Sequence, residues 1–130
     1  MHTELRTERL RLRRWKPEDL APFAALNRDP VVVEYLAGPL SREQSDAFVA
    51  RVEAHFDRHG FGLYAVEVVE DASFAGFVGL SIPGFEAPFT PCVEIGWRLA
   101  AHCHGRGYAT EAARAVLALG FETLALPEIV

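Results

Sequence analysis

The segment that most restricts the fold is Cys92–Ala112, where a strand, a glycine-spaced turn and a helix follow in succession. Val93, Ile95, Trp97 and Leu99 alternate with Cys92, Glu94, Gly96 and Arg98, the two-residue period of a strand. Gly96 is unexpected in a strand interior; it marks a bulge or a close approach of another group to the backbone. Gly105-Arg-Gly107 leads straight into a helix expected from about Gly107 to Thr123, with Ala109, Ala112, Val116 and Phe121 along its buried stripe. Such a turn leaves several backbone N–H groups unpaired beside the positive end of the helix dipole. A phosphate or pyrophosphate suits that geometry, and Arg106 can add a cation. Taken alone, the turn is equally well explained as a bend that needs positive φ. It completes neither GxxxxGK[ST] nor GxGxxG.

The remaining pattern is a mixture of helices and hairpins. Leu10 and Leu12 alternate with Arg9, Arg11 and Arg13 as in a half-buried strand. Pro17, Glu18 and Asp19 open a helix whose apolar face is Leu20, Phe23, Ala24 and Leu26, and Asp29-Pro30 closes it. A short apolar piece, Val31 to Leu36, follows. Ser41-Arg-Glu-Gln44 is a capping box, Phe48, Val52 and Phe56 recur every four residues, and Gly60 is a C-cap. Phe61 to Val69 and Phe74 to Ile82 form a hairpin about residues 70–73. Prolines 83, 88 and 91 bracket an irregular loop containing Phe85 and Phe89, and a strand begins near Leu126. The order β-α-α-β-β-β-α-β implies one layered α/β (α+β) domain over residues 1–130.

Composition excludes several classes. No apolar run approaches the ~20 residues of a membrane span, and the N-terminus lacks a secretory h-region. The expectation is a cytoplasmic protein. Residues 1–16 carry six of the 13 basic and two of the 18 acidic side chains, so the body is strongly acidic. An acidic body argues against a nucleic-acid footprint, and the basic arm reads as the solvated face of a first strand. Cys92 and Cys103 fit no disulfide framework or zinc pattern. His55 and His59 can share a helix face and His102 and His104 flank Cys103, but nothing in the sequence ties the two clusters together, so no metal is expected.

Four segments together resemble the GNAT superfamily of acyl-CoA-dependent N-acetyltransferases, in the branch of the ribosomal-protein (Rim-type) N-terminal acetyltransferases. They are Thr7-Glu-Arg-Leu-Arg-Leu-Arg13, Gly76-Phe-Val-Gly79, Val93-Glu-Ile-Gly-Trp-Arg-Leu99 and Gly105-Arg-Gly-Tyr-Ala-Thr-Glu-Ala112. Gly105 and Gly107 match the family's Q/R-x-x-G-x-G/A loop, with His102 in place of the Gln or Arg. The resemblance implies a mixed, mostly antiparallel central sheet flanked by helices. It also implies acetyl-CoA as co-substrate and a primary amine, of a protein N-terminus or a small molecule, as acceptor.

By the same resemblance, backbone N–H groups of His104, Gly105, Arg106, Gly107, Tyr108 and Ala109, with Thr110, hold the CoA pyrophosphate. The backbone of Trp97, Arg98 and Leu99 pairs with the pantetheine arm. Glu94 is the candidate general base, acting through a water, and N–H groups near Ile95 to Trp97 meet the oxyanion. The general acid is expected beyond Val130, because the chain resembles only about the first three-quarters of the family fold. A C-terminally truncated fold implies an exposed sheet edge covered in a homo-oligomer, or else a non-catalytic CoA-binding or protein-interaction module.

Overall fold

The computed structural model describes residues 4–34, 38–82, 93–123 and 129. Five strands form one antiparallel sheet in sequence order: β1 (Glu4–Arg6), β2 (Leu10–Arg13), β3 (Leu63–Val68), β4 (Ser73–Ser81) and β5 (Glu94–Leu99). Among the described residues four α-helices accompany it: α1 (Leu20–Leu26), α2 (Pro30–Val33), α3 (Arg42–His59) and α4 (Tyr108–Ala118). The expected fold class is therefore observed. The expected strand near Leu126 and the loop of Phe85 and Phe89 lie outside the described residues, as does Cys92.

Local sequence explains most element ends. Ser41 accepts from the Gln44 amide while the Gln44 side chain accepts from the Ser41 amide, and Gly60 closes α3 at φ 78°. The Asp29 side chain caps α2 through the Val31 N–H. Pro17 sits in a 3₁₀ turn (Pro17–Asp19) that runs into α1.

The pleat assigns the two faces of the sheet. Tyr64, Val66, Val78, Leu80 and Leu99 join Leu10 and Leu12 in a core with Ala112 and Val116 of α4. On the opposite face, Phe77 packs with Phe23 and Leu26 of α1, Val32 of α2 and Val49 of α3. Trp15, Phe23, Phe48, Phe74 and Phe77 interlock there with ring centres 5.0–6.2 Å apart, edge and tilted contacts that aromatic quadrupoles favour.

Three expectations are corrected. Beyond Ala118 the α4 helix widens into a π-turn, Leu119–Thr123. The extra residue per turn rotates the apolar stripe, so Leu119 is buried and Phe121 is exposed. The bulge falls between Val66 and Glu67 of β3, whereas Gly96 pairs regularly with Gly79. Close backbone approach requires glycine at Gly76, at φ 136°, where a Cβ would collide with the Arg98 carbonyl oxygen, and at Gly79, where it would collide with the Gly62 carbonyl oxygen. Finally, the basic arm is a solvated face only in part: Arg6, Arg9 and Lys16 are exposed, but the arm is not solvated throughout. Arg13 is buried between Asp19 (2.8 Å) and Glu67 (2.9 Å), and Arg14 pairs with Glu53.

Candidate functional site

β5 is the last strand of the described sheet, so one of its edges has no partner strand among the described residues. The Ala100 N–H donates to Ala75 O, and bonding alternates along an antiparallel pair. The backbone groups of Arg98 and Gly96 therefore face β4. Those of Ile95, Trp97 and Leu99 face the open edge. The Leu99 carbonyl is already bonded by His104 Nε2 at 2.9 Å, which leaves the Leu99 N–H and both Trp97 groups for another chain-like partner.

A 3₁₀ turn (Ala101–Cys103) then brings the chain round to α4. Gly105 and Gly107 have φ of 74° and 76°, and Gly107 is the N-cap. These left-handed conformations cost glycine nothing, and they set successive N–H groups along the loop. The amides at the start of α4 lack intrahelical acceptors. Between this loop and the edge of β5 lies a cavity of about 340 Å³ lined by Trp97, Leu99, Cys103, His104, Gly105, Gly107, Tyr108, Ala109 and Thr110.

Most of the residues singled out in the sequence thus converge on one cavity, but four are placed differently. The His104 amide donates to Ala101 O at 3.1 Å; it is unavailable to a ligand, and the residue contributes only its side chain to the wall. Arg98 contributes neither backbone nor side chain, because its amide faces β4 and its guanidinium crosses to the opposite face, 2.8 Å from Asn27 Oδ1. Arg106 donates from Nε to His102 O at 2.9 Å and does not line the cavity. Glu94 opens β5 opposite Ser81, on the same face as Arg98.

The loop is braced by residues that spacing alone did not single out. Arg9 donates from Nε to Glu111 Oε1 (2.6 Å) and from Nη1 to Arg106 O (2.9 Å), and its guanidinium lies 4.7 Å from the Tyr108 ring centre. Glu111 Oε2 accepts from Thr7 Oγ1 and the Arg9 amide. Burial opposes ionisation of Glu111, but these donors outweigh it and hold its carboxyl below the usual range. A sequence signal existed: Thr7, Arg9 and Glu111 all lie inside the segments that carry the resemblance.

Cys103 is buried, and burial pushes its thiol up, away from nucleophilic use. His55 Nδ1 donates to Phe61 O and Nε2 accepts from the Ile82 N–H, so both ring nitrogens are engaged. Among the described residues no group of three or more His, Cys, Asp or Glu could hold a metal ion, and no helix is long and apolar enough to cross a membrane.

Known proteins share this fold. Residues 9–130 match the acetyltransferase (GNAT) domain model. The chain is 34% identical over 120 residues to the uncharacterized protein YkkB of Bacillus subtilis (strain 168), covering 92% of this chain and 69% of the relative. The solved acetyltransferase of Agrobacterium tumefaciens str. C58 superposes with a TM-score of 0.83 at 30% identity, over 99% of this chain and 72% of that one. A GNAT-family acetyltransferase of Bacillus anthracis superposes at 0.79 with 24% identity, over 97% of this chain and 70% of that one. With its edge strand, its left-handed glycine loop and a domain match over nearly its whole length, the chain belongs to the GNAT acetyltransferase family.

Proposed function

We propose that the protein transfers the acetyl group of acetyl-CoA directly to a primary amine in the cytoplasm. The observation that carries this reading is the 340 Å³ cavity between the open edge of β5 and the amides that precede and open α4. Its donors fit the co-substrate: Gly105, Gly107, Tyr108, Ala109 and Thr110 offer N–H groups to a pyrophosphate, and the helix dipole adds to them. The free Trp97 carbonyl and Leu99 N–H fit the amides of a pantetheine arm in the manner of an added strand. Bound acetyl-CoA supplies an activated thioester.

The chain's residues have three tasks. Glu94, through a water, takes a proton from the amine as the nitrogen bonds to the acetyl carbon and the C–S bond breaks; the thiolate is protonated by solvent. The edge-facing N–H groups of Ile95 and Trp97 meet negative charge building on the carbonyl oxygen. Arg9 and Glu111 keep the loop in register and act as positioning residues.

Acetyl-CoA at a hundred times its dissociation constant raises stability by about 2.7 kcal/mol, and thiol release follows on adding a suitable amine. No stabilisation by CoA at millimolar concentration overturns the reading. Stabilisation without thiol release over a broad amine panel assigns a binding module instead.

A further inference from the structure

On the α3 face of the sheet, away from the loop cavity, Gly96 presents bare backbone beside its register partner Gly79, which is itself buried against the Gly62 carbonyl. A Cβ on Gly96 would meet nothing within 4 Å. The flanking rows are Phe77 with Arg98 on one side and Ser81 with Glu94 on the other. Beside this strip lies a mostly apolar cavity of about 410 Å³, walled by Phe48, Arg51, His55, Leu63 and Ser81 among others. A carboxylate and a guanidinium thus stand at opposite ends of an open floor, two residues either side of Gly96.

The charges around this groove are unbalanced. In an acidic chain, Arg9, Arg11, Arg13, Arg14 and Arg42 all pair with carboxylates. Arg98 has none among the described residues: one N–H reaches neutral Asn27, itself bonded to Ser45, and the guanidinium lies 5.5 Å from the Phe48 ring centre and 5.3 Å from that of Phe77. No buried side-chain nitrogen lacks a partner among the described residues, so the remaining Arg98 N–H groups reach solvent. Arg51 stands on the same Phe48 ring at 5.9 Å, also without a carboxylate. Partial burial of a cation without a counter-ion is costly, and burial lowers the Arg98 pKa. A ligand bringing the missing negative charge recovers that cost.

Building on the acetyl-transfer reading, we propose that the acceptor is a small primary amine that also carries an anionic group such as a carboxylate. Arg98 and Arg51 read the anion, Glu94 faces the amine, and Phe48 and Leu63 take any apolar portion between them. Glycine at position 96 leaves room for the acceptor to lie against β5.

The test compares matched amines that differ by one carboxylate: 4-aminobutyrate with butylamine, and phenylalanine with phenethylamine. Calorimetric binding to the CoA-loaded chain is measured, with thiol release from acetyl-CoA alongside. The carboxylate-bearing member of each pair is expected to bind at least about tenfold more tightly, the scale of one charge-assisted contact. Arg98→Gln and Arg51→Gln each pull that ratio toward one, and Arg98→Lys restores part of it. Thermal unfolding reports folding separately, and exposed Arg51 keeps the test decisive should Arg98→Gln fail to fold. Equal binding within the pairs, preference for the neutral amine, or a ratio unmoved in the folded variants overturns the proposal. Failure to bind CoA overturns the acetyl-transfer reading instead, and discrimination is then read on the CoA-free chain.

Discussion

Gly107→Ala offers the most direct test of the loop. At φ 76° and ψ 8° the residue sits in the left-handed region, where an L side chain pays about 1–2 kcal/mol. The cost is conformational rather than steric, since an added Cβ meets only the far end of the Arg9 side chain at 3.4 Å. With an unfolding entropy of about 2.1 cal/mol/K per residue, a chain of this length turns that strain into a melting-temperature drop of about 4–7 °C. If the loop instead relaxes, its amides turn from the cavity and CoA affinity falls, by about tenfold for each 1.4 kcal/mol of lost interaction. Differential scanning calorimetry with CoA titration separates the two outcomes. Gly107→Asn recovers much of either loss, because asparagine tolerates the left-handed region. A Gly107→Ala protein that melts and binds CoA like the parent refutes the reasoning.

Other perturbations address other parts of the molecule. Arg13→Met leaves the buried Asp19 and Glu67 carboxylates without their cation and costs about 3–5 kcal/mol in urea unfolding; adding Asp19→Asn and Glu67→Gln returns part of it. Burial pushes His55 below its usual 6.5, against its bond to Phe61 O, with His59 and Arg58 adding to the depression. Its folded pKa is thus depressed, and an unfolded chain that binds more protons makes stability fall as pH drops below 6.5 toward the folded value. His55→Gln flattens that limb between pH 7.5 and 5.5 in chemical denaturation. Glu94→Gln is expected to lower turnover by about 10²–10⁴-fold while calorimetry shows CoA affinity retained; full activity would remove Glu94 from the mechanism.

Legibility varied with the range of the interaction. The Ser41 capping box, the Gly60 cap and the alternation of β5 are written within a few residues, and each was readable from the sequence. The first strand, Glu4–Arg6, was not, because three residues carry too little period to register; its pairing with β2 defines it. Phe121 was misassigned because a 3.6-residue period was extended across the π-turn that starts at Leu119. Arg13 looked solvent-facing from its neighbours, yet Glu67 is 54 residues away in sequence and becomes a partner only across the sheet.

The sequence by itself determined the loop that ends in α4. Gly105 and Gly107 are needed wherever φ is positive, and the helix that follows orients the free amides, both of them local consequences of covalent geometry. Which face each side chain of β5 serves was decided only in three dimensions. Strand alternation divides Glu94, Gly96 and Arg98 from Ile95, Trp97 and Leu99, but cannot say that α4 covers one set and α3 the other. That choice is made by long-range packing of the aromatic cluster against one face and of Ala112 and Val116 against the other. It leaves the edge of β5 facing the loop cavity, and Arg98 turned away from it toward the groove.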